Sequence, residues 1–302
     1  MRRIIPVLCS IVTAIFFAAC MIESEDAEPL RSTPQMILPA DTITPNSEYQ
    51  RLGALNWQYD YASCSLTIVN DVGMQEWKEF ISGDNRYEAL QIKKEIKFVT
   101  LKPGVSYIAN NAFDDCLLLE EVILPEGLIE IHHAAFLGCG SLTAIELPQT
   151  VTRIDYNAFH DCYTLEELIL PPKITFLATS VVAGCEKLKE LRIPAAVTLI
   201  SSYAIYGDGI QRIIFEGTVE RIEHWYIHEL PDLRYFVFLE GPPVSIEALE
   251  RDRAGLQFSG DTPITIYYLN ENKSQWIPND ETEWMGQPLV GIDSLDDLPP
   301  LN

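Results

Sequence analysis

The chain has 302 residues, 47% of them hydrophobic, and a formal net charge of −23 at pH 7. So acidic a chain is poorly suited to binding nucleic acid, which needs clustered lysine and arginine against phosphates, or to adsorbing on an anionic membrane. The negative charge instead favours solubility and attraction to basic patches on a partner.

Residues 1–19 are predicted to be a lipoprotein signal peptide. Two arginines precede the apolar run Ile4–Ala19, which is short for a membrane span of about 20 residues and typical of a secretory signal. The run ends in Phe17-Ala18-Ala19-Cys20, which resembles a lipobox and predicts that Cys20 becomes the lipidated N-terminus. Cleavage before Cys20 removes two arginines and no acid, which takes the formal charge from −23 to −25. A plain secretory signal with a chance cysteine is the alternative.

Residues 20–50 are predicted to be a flexible tether. The acidic cluster Glu23–Glu28 follows Cys20 directly and resembles the surface-export signal of some bacterial lipoproteins. An ordinary solvated acidic linker is the alternative. Proline, serine and threonine are frequent in the remainder, as is typical of an unstructured tether.

Residues 51–90 are predicted to form an N-terminal cap. Trp57–Trp77 alternates between apolar and polar residues like a β-hairpin, and Trp77–Ala89 suits a short helix. A cap is expected here because the first coil of a solenoid would otherwise expose an open sheet edge. Ile96–Thr100 is then predicted to be the first strand of the solenoid.

Residues 91–241 are predicted to form a β-rich solenoid, because a 23-residue unit recurs between Leu101 and Arg192. A fixed period of this length is typical of coils that bury their apolar faces against one another. The four units are Leu101–Ile123, Leu124–Glu146, Leu147–Ile169 and Leu170–Arg192.

Four kinds of position recur in these units. Two apolar columns stand two residues apart, which is the strand period, so both point into a core. Proline follows and ends each strand, a second apolar pair suits a short strand on another side of the coil, and an Ala-Phe pair fills the interior. The columns are Leu119, Leu142, Leu165 and Leu188; Val122, Ile145, Leu168 and Leu191; Leu124, Leu147, Leu170 and Ile193; and Pro125, Pro148, Pro171 and Pro194.

The pattern LxxLxLP followed by LxxIxxxAFxxC resembles the leucine-rich repeat of the BspA type, found in bacterial surface proteins. The resemblance spans roughly residues 57–290. It implies a leucine-rich repeat solenoid of about 23-residue units with one parallel sheet, mostly non-helical coils and small β caps at both ends. The family further implies adhesion and ligand binding rather than catalysis.

The repeat decays after residue 192, as terminal repeats do. Residues 242–292 are predicted to be a C-terminal cap, because Thr265–Leu269 with Trp276 and Trp284 resembles the β cap of the family. Residues 293–302 are predicted to be an acidic, disordered tail.

Cysteine recurs at one position of the repeat, and we interpret this column as structural. A zinc site needs ligands that converge tetrahedrally, whereas equivalent positions on successive coils form a straight ladder. A buried thiol is small and mildly hydrophobic, and a disulfide between adjacent coils stays open because the expected spacing permits it. The column is Cys116, Cys139, Cys162 and Cys185.

No catalytic or metal constellation is predicted. His224 and His228 stand four apart, but Trp225 occupies the place of the glutamate in HExxH. The sequence contains no GxSxG nucleophile elbow and no GxxxxGK[ST] phosphate loop. We therefore predict no enzyme, no metal and no cofactor.

The outward side of the strands is the candidate binding face. Repeat solenoids use extended strand surfaces for binding, and exposed apolar residues with polar neighbours suit an interface. The other interpretation is that isoleucine supports the strand while the charges only solvate it. The candidates are Glu121, Ile123, Glu146, Glu167, Ile169, Glu190, Arg192, Arg212, Ile214 and Tyr235.

The sequence therefore predicts a non-catalytic, cell-surface lipoprotein of the outer membrane that binds a protein or glycan partner, for adhesion or ligand capture. Its membrane contact is expected through the N-terminal lipid, and no nucleic acid is expected as partner. The alternative is a periplasm-facing scaffold or envelope-assembly lipoprotein. The partner's identity and the oligomeric state stay open.

Overall fold

A computed structural model describes residues 51–53, 55–207, 209–223, 230–242, 245–246, 264–276, 282–284 and 287–301. These residues fall within one compact unit, Pro45–Asn302. The predicted signal peptide, Cys20, the tether, and the pair His224 and His228 lie outside the described residues. Within the described part, none of the helices combines the length and the hydrophobicity that crossing a membrane requires.

One side of the solenoid carries one short strand from each coil, and we call this side the first sheet. Its strand pairing is interrupted between Ile123 and Ala144 and between Leu168 and Glu190, which divides it into three segments. Within each segment the solenoid strands pair in parallel and in register, so that equivalent residues of successive units stand side by side; Val99 pairs with Val122 and Ile145 with Leu168. Numbered in chain order, the strands are β4 (Phe98–Leu101), β6 (Glu121–Ile123), β8 (Ala144–Ile145), β10 (Glu167–Leu168), β12 (Glu190–Ile193), β14 (Arg212–Phe215), β16 (Tyr235–Phe238), β18 (Thr265–Leu269) and β20 (Gln287–Ile292).

A second ladder of two-residue strands lies on another side of each coil, where the second apolar pair predicted it. Proline follows β6, β8, β10 and β12, and its carbonyl accepts a hydrogen bond from the residue three positions on, as in Leu128 N to Pro125 O at 3.0 Å. This turn leads the chain to the second ladder. Its strands are β5 (Tyr107–Ile108), β7 (Glu130–Ile131), β9 (Arg153–Ile154), β11 (Phe176–Leu177), β13 (Leu199–Ile200), β15 (Arg221–Ile222) and β17 (Ser245–Ile246).

The core consists of the apolar columns that the sequence predicts to point inward. Leu119, Leu142, Leu165 and Leu188 are each 0% exposed. The phenylalanines of the Ala-Phe pairs stack on one another, with ring centroids 5.4 Å apart for Phe113 and Phe136 and 5.5 Å for Phe136 and Phe159. Their backbone amides bond to the next coil, as in Phe136 N to Ala158 O at 2.9 Å. The β-solenoid fold is confirmed.

The N-terminal cap is a hairpin followed by two helices. Strand β1 (Arg51–Gly53) pairs antiparallel with β2 (Trp57–Asp60), which pairs antiparallel with β3 (Ser65–Ile68), and β3 joins β4 in parallel. The single helix expected over residues 77–89 is instead α1 (Asp71–Ser82) and α2 (Arg86–Glu95). Asn70 caps the start of α1 through a bond from Gly73 N at 2.9 Å, and Gly83 ends that helix.

The cap replaces the coil that the first repeat lacks. In later coils, alanine carbonyls accept an amide hydrogen bond from the preceding coil. Ala112 has no such coil before it, and its carbonyl accepts a bond from the indole Nε1 of Trp77 at 2.9 Å. Trp77 is itself 0% exposed, so one side chain both buries the end of the core and satisfies its free acceptor.

At the other end, β20 continues the parallel sheet and pairs antiparallel with β19 (Glu283–Trp284). Between β18 and β20 lie a 3-10 helix (Asn270–Asn272) and the short helix α3 (Lys273–Trp276). The predicted disorder of residues 293–302 is wrong for the described part. Leu295–Asp297 forms a 3-10 helix, because Ser294 and Asp297 make a reciprocal capping box.

Candidate binding face

The strand period places every second side chain of the first sheet outside the core. Because the strands pair in register, these outward side chains form two rows across the sheet. The first row contains Phe98, Glu121, Ala144, Glu167, Glu190, Arg212 and Tyr235; the second contains Thr100, Ile123, Glu146, Ile169, Arg192, Ile214 and Val237.

The part of these rows nearest the N-terminal cap is exposed, and we name it the open face. Ile123 is 52% exposed and Ile169 is 62% exposed, with the exposed Glu146 between them in the second row. The two isoleucines therefore lie in water while equivalent residues elsewhere on the sheet are buried. The open face comprises Phe98, Glu121, Ile123, Glu146, Glu167 and Ile169.

The carboxylates of the open face lack cationic partners within the described part of the chain. Glu121, Glu146 and Glu167 are exposed, and none forms an ion pair with another described residue. An unpaired carboxylate keeps its full negative charge available to a partner. The open face thus combines aliphatic side chains with available negative charge.

Glu190 marks the boundary of the open face, because it holds two arginines. Its carboxylate lies 3.1 Å from Nε of Arg192 and 2.8 Å from Nη1 of Arg212. The Arg212 side chain is only 10% exposed, lies over the ring of Tyr235 at 5.6 Å, and donates a hydrogen bond to the carbonyl of Pro299. The negative charge of Glu190 is therefore compensated within the sheet, unlike that of the carboxylates on the open face.

Beyond β12 the second row is covered, which corrects the expectation for Ile214. We predicted that Ile214 lies on an exposed binding face, but Ile214 and Val237 are each 0% exposed. The C-terminal segment Asp293–Leu301 lies over them. Together they form a second apolar cluster, the covered face: Ile214, Val237 and Ile292, packed against Leu239, Tyr267, Leu269, Leu295 and Leu298.

Sequence reasoning missed Leu295 and Leu298, although a signal for them exists. The strands β14 and β16 read Arg-Ile-Ile-Phe and Tyr-Phe-Val-Phe, with apolar residues on both faces. A continuous apolar run is typical of a strand that is buried on both sides. The strand pattern therefore required a cover, and the two leucines three residues apart in the tail supply one.

The column cysteines are buried thiols that link coils. Each is at most 2% exposed, and the five cysteines of the described residues are free thiols. The Cys139 Sγ donates to the Phe113 carbonyl at 3.2 Å, and the Cys162 Sγ donates likewise to the Phe136 carbonyl. Burial raises the pKa of the Cys116 thiol to about 12. The thiols of Cys139, Cys162 and Cys185 therefore each form a hydrogen bond to the preceding coil.

Other polar groups of the described part lie in surface contacts and along a cavity. No group of three or more His, Cys, Asp or Glu residues there could hold a metal ion. His132 bonds Glu130 at 2.8 Å and His133 stacks on Tyr156 at 4.0 Å, so both are engaged at the surface. A cavity of about 550 Å³ is lined by carboxylates, amides, Thr218 and two leucines, with no histidine or cysteine.

A family model described as the BspA type leucine-rich repeat region matches residues 90–234 in six copies. Residues 90–234 are a BspA-type leucine-rich repeat region. The match begins within α2 and ends just before β16. The leucine-rich repeat therefore includes the whole open face, and most of the covered face lies at its end or beyond it.

Among solved structures, the chain is similar to the leucine-rich repeat protein TpLRR of T. pallidum, with 18% identity over 68% of this chain and 94% of that one, at a TM-score of 0.35. A leucine-rich repeat protein from Bacteroides ovatus gives 17% identity and a TM-score of 0.37, over 72% of this chain and 62% of that one. The pneumococcal vaccine antigen PcpA gives 14% identity and 0.31, over 66% and 68%. No curated protein sequence matches the chain.

Proposed function

We propose that this leucine-rich repeat protein is a non-catalytic, lipid-anchored surface protein that binds a partner protein through its open face. The observation that carries the proposal is the exposure of Ile123 and Ile169 beside the unpaired Glu146. Apolar side chains ringed by polar ones are typical of an interaction surface. The rigid parallel sheet beneath them holds these side chains in fixed positions, which lowers the cost of ordering them on binding.

The chemistry of the open face favours a protein over a glycan. Its apolar groups are mainly aliphatic, with Phe98 at 36% exposure as the aromatic member. Three unpaired carboxylates lie among them. This combination complements an apolar patch with lysine or arginine at its rim, and the opposite charges would speed association and select the partner.

The N-terminal sequence supports attachment of the protein to a membrane outside the cytoplasm. An apolar leader that ends in Cys20 is followed by a polar stretch to residue 50. A tether of this length, if flexible as its composition predicts, would have a root-mean-square span of about 30 Å. The proposed lipid would therefore let the binding face sample a zone close to the membrane. Labelled fatty acid should be incorporated into the native protein and not into the Cys20→Ala variant.

The binding face is tested by site-specific photo-crosslinking on living cells. A benzophenone amino acid at Ile169 should yield a discrete adduct, while the same group at the exposed Glu186 should not. The variant Glu146→Lys with Glu167→Lys should weaken that adduct at unchanged melting temperature. Glu126→Lys with Glu186→Lys changes the charge equally at exposed sites off this face and should leave the adduct intact. Equal adducts from both crosslinker positions would contradict the proposal.

Protease treatment of intact cells tests the location. Cleavage of the solenoid on intact cells would support the outer surface. Protection that is lost on permeabilisation would instead favour the periplasm-facing scaffold, and the partner would then be sought among envelope proteins.

A further inference from the structure

The segment Asp293–Leu301 lies on the covered face in the way that a bound peptide lies on a receptor. Leu295 and Leu298 are three residues apart in a 3-10 turn, so they point to the same side. Both pack against the apolar cluster of the sheet. The acidic side chains Asp293, Asp296 and Asp297 are exposed. The segment is therefore amphipathic, with its leucines on the sheet and its charges in water.

The segment attaches through side chains and not through a strand ladder. Two hydrogen bonds between described residues connect it to the sheet region, from Arg212 to the Pro299 carbonyl and from Asn270 Nδ2 to Asp293 Oδ1 at 2.7 Å. No described backbone hydrogen bond joins it to a strand. Release of the segment would leave the hydrogen bonds of the parallel sheet unbroken.

The bound conformation is stabilised within the segment itself. The Asp297 carboxylate accepts bonds from the amides of Asp293 and Ser294, each at 3.0 Å, and Ser294 Oγ accepts from Asp296 N at 3.2 Å. A linear peptide that carries its own capping box loses less entropy when it binds. The same turn could therefore form on the covered face when it is supplied from another chain.

We propose that the covered face is a peptide-binding site for partner segments of the Leu-x-x-Leu-Pro type, and that the C-terminal segment occupies it in cis. The leucines fill the apolar cluster, and Arg212 donates to the carbonyl of the first proline after them. A partner segment binds by displacing the tail. This site is distinct from the open face, and neither proposal depends on the other.

The test uses the mature protein, the same chain ending at Ile292, and a fluorescent peptide of residues 293–302. The peptide should bind the shortened chain saturably. The intact protein should bind the peptide at least about tenfold more weakly, because a tethered competitor acts at millimolar effective concentration. A peptide with Leu295→Ala and Leu298→Ala should lose about a hundredfold in affinity. Asp296→Asn, which changes an exposed side chain, is the matched control and should keep its affinity.

Hydrogen exchange on the intact protein keeps the proposal testable if the shortened chain does not fold. The amides of Asp297 and Leu298 should exchange at least about tenfold faster than those of β16, since a displaceable segment opens without the sheet. Equal protection of the two would overturn the proposal, as would a folded shortened chain that does not bind the peptide. Exchange of tails within a stable dimer would also overturn it, because the occupant would then be a second copy.

Discussion

Substitution of Phe136 by alanine tests the assignment of the Ala-Phe column to the core. Phe136 is 0% exposed and lies in the middle of a stack, with ring centroids 5.4 Å from Phe113 and 5.5 Å from Phe159. The interplanar angles of 25° and 5° show that it faces both neighbours. Its loss would therefore remove two aromatic contacts and leave a cavity between three coils.

The expected cost follows from these contacts. A buried phenylalanine replaced by alanine costs about 3–5 kcal/mol, and each aromatic pair adds about 0.5–1.5 kcal/mol beyond the buried area. Because two pairs are lost, we expect Phe136→Ala to fall at the upper end, about 5 kcal/mol. For a domain of this size, that corresponds to a melting temperature lower by about 10–20 °C.

Urea unfolding followed by circular dichroism measures the change in the free energy of unfolding. The slope of that free energy against urea concentration shows whether the coils still unfold cooperatively. Phe98→Ala is the matched control, because Phe98 is 36% exposed on the outer row of the sheet. We expect it to cost about 1–2 kcal/mol. If Phe136→Ala cost no more than Phe98→Ala, the stacked column would not be the core of the solenoid.

Three further predictions concern the coil contacts. Gly209→Ala should lower the urea midpoint strongly, because Gly209 has a φ of +107° and an added Cβ would overlap the carbonyl oxygen of Glu186. Lys93→Met should cost about 3 kcal/mol, because it removes the partner of Asp114 at a site where the lysine is 9% exposed. The double variant Lys93→Met with Asp114→Asn should recover most of this stability, and Asp114→Asn alone completes the double-mutant cycle. The raised pKa of Cys116, about 12 against an ordinary 9.0, favours the protonated thiol in the folded state. Its contribution to the free energy of unfolding should be complete below pH 9 and fall between pH 9 and 12 by up to about 1.4 kcal/mol per pH unit. Cys116→Ala should make the measured pH dependence less steep by this share, while the other column thiols, whose pKa values are also raised, keep theirs.

The solenoid could be predicted because its signals repeat. A single apolar column at one position would be ambiguous, but the same columns at one period of 23 residues fix both the inward residues and the strand ends. The cysteine column shows the limit of what a repeated pattern predicts. Its recurrence predicts a structural position, but only the folded structure shows the hydrogen bond from the Cys139 thiol to the Phe113 carbonyl.

The N-terminal cap was predicted less well, because it occurs once in the chain. Alternation located the hairpin, but the second helix, α2, starts at Arg86 and runs on to Glu95, where the sequence suggested its end near Ala89. The apolar residues of α2 form no clear stripe along one side of the helix. One of its buried residues is Lys93, whereas a helix position that faces the core is expected to be apolar. Tertiary contacts with Asp114 and the Asn111 carbonyl, not the local pattern, bury that side chain.

The division of the sheet into an open and a covered face follows from a change along the two outward rows. Up to Arg192, each strand places at most one large apolar side chain outside, beside a charged or small residue. From β14 onward, Ile214, Val237 and Tyr267 continue the second row without a charge between them. Single apolar side chains among charged ones are common on protein surfaces, whereas exposing a contiguous apolar strip to water is unfavourable. The chain must therefore supply a cover at its C-terminal end, and an acidic tail with two leucines in phase is the segment that can provide it. The acidic composition of the tail predicts disorder when the tail is considered alone, but its two leucines pack on the apolar strands and order it.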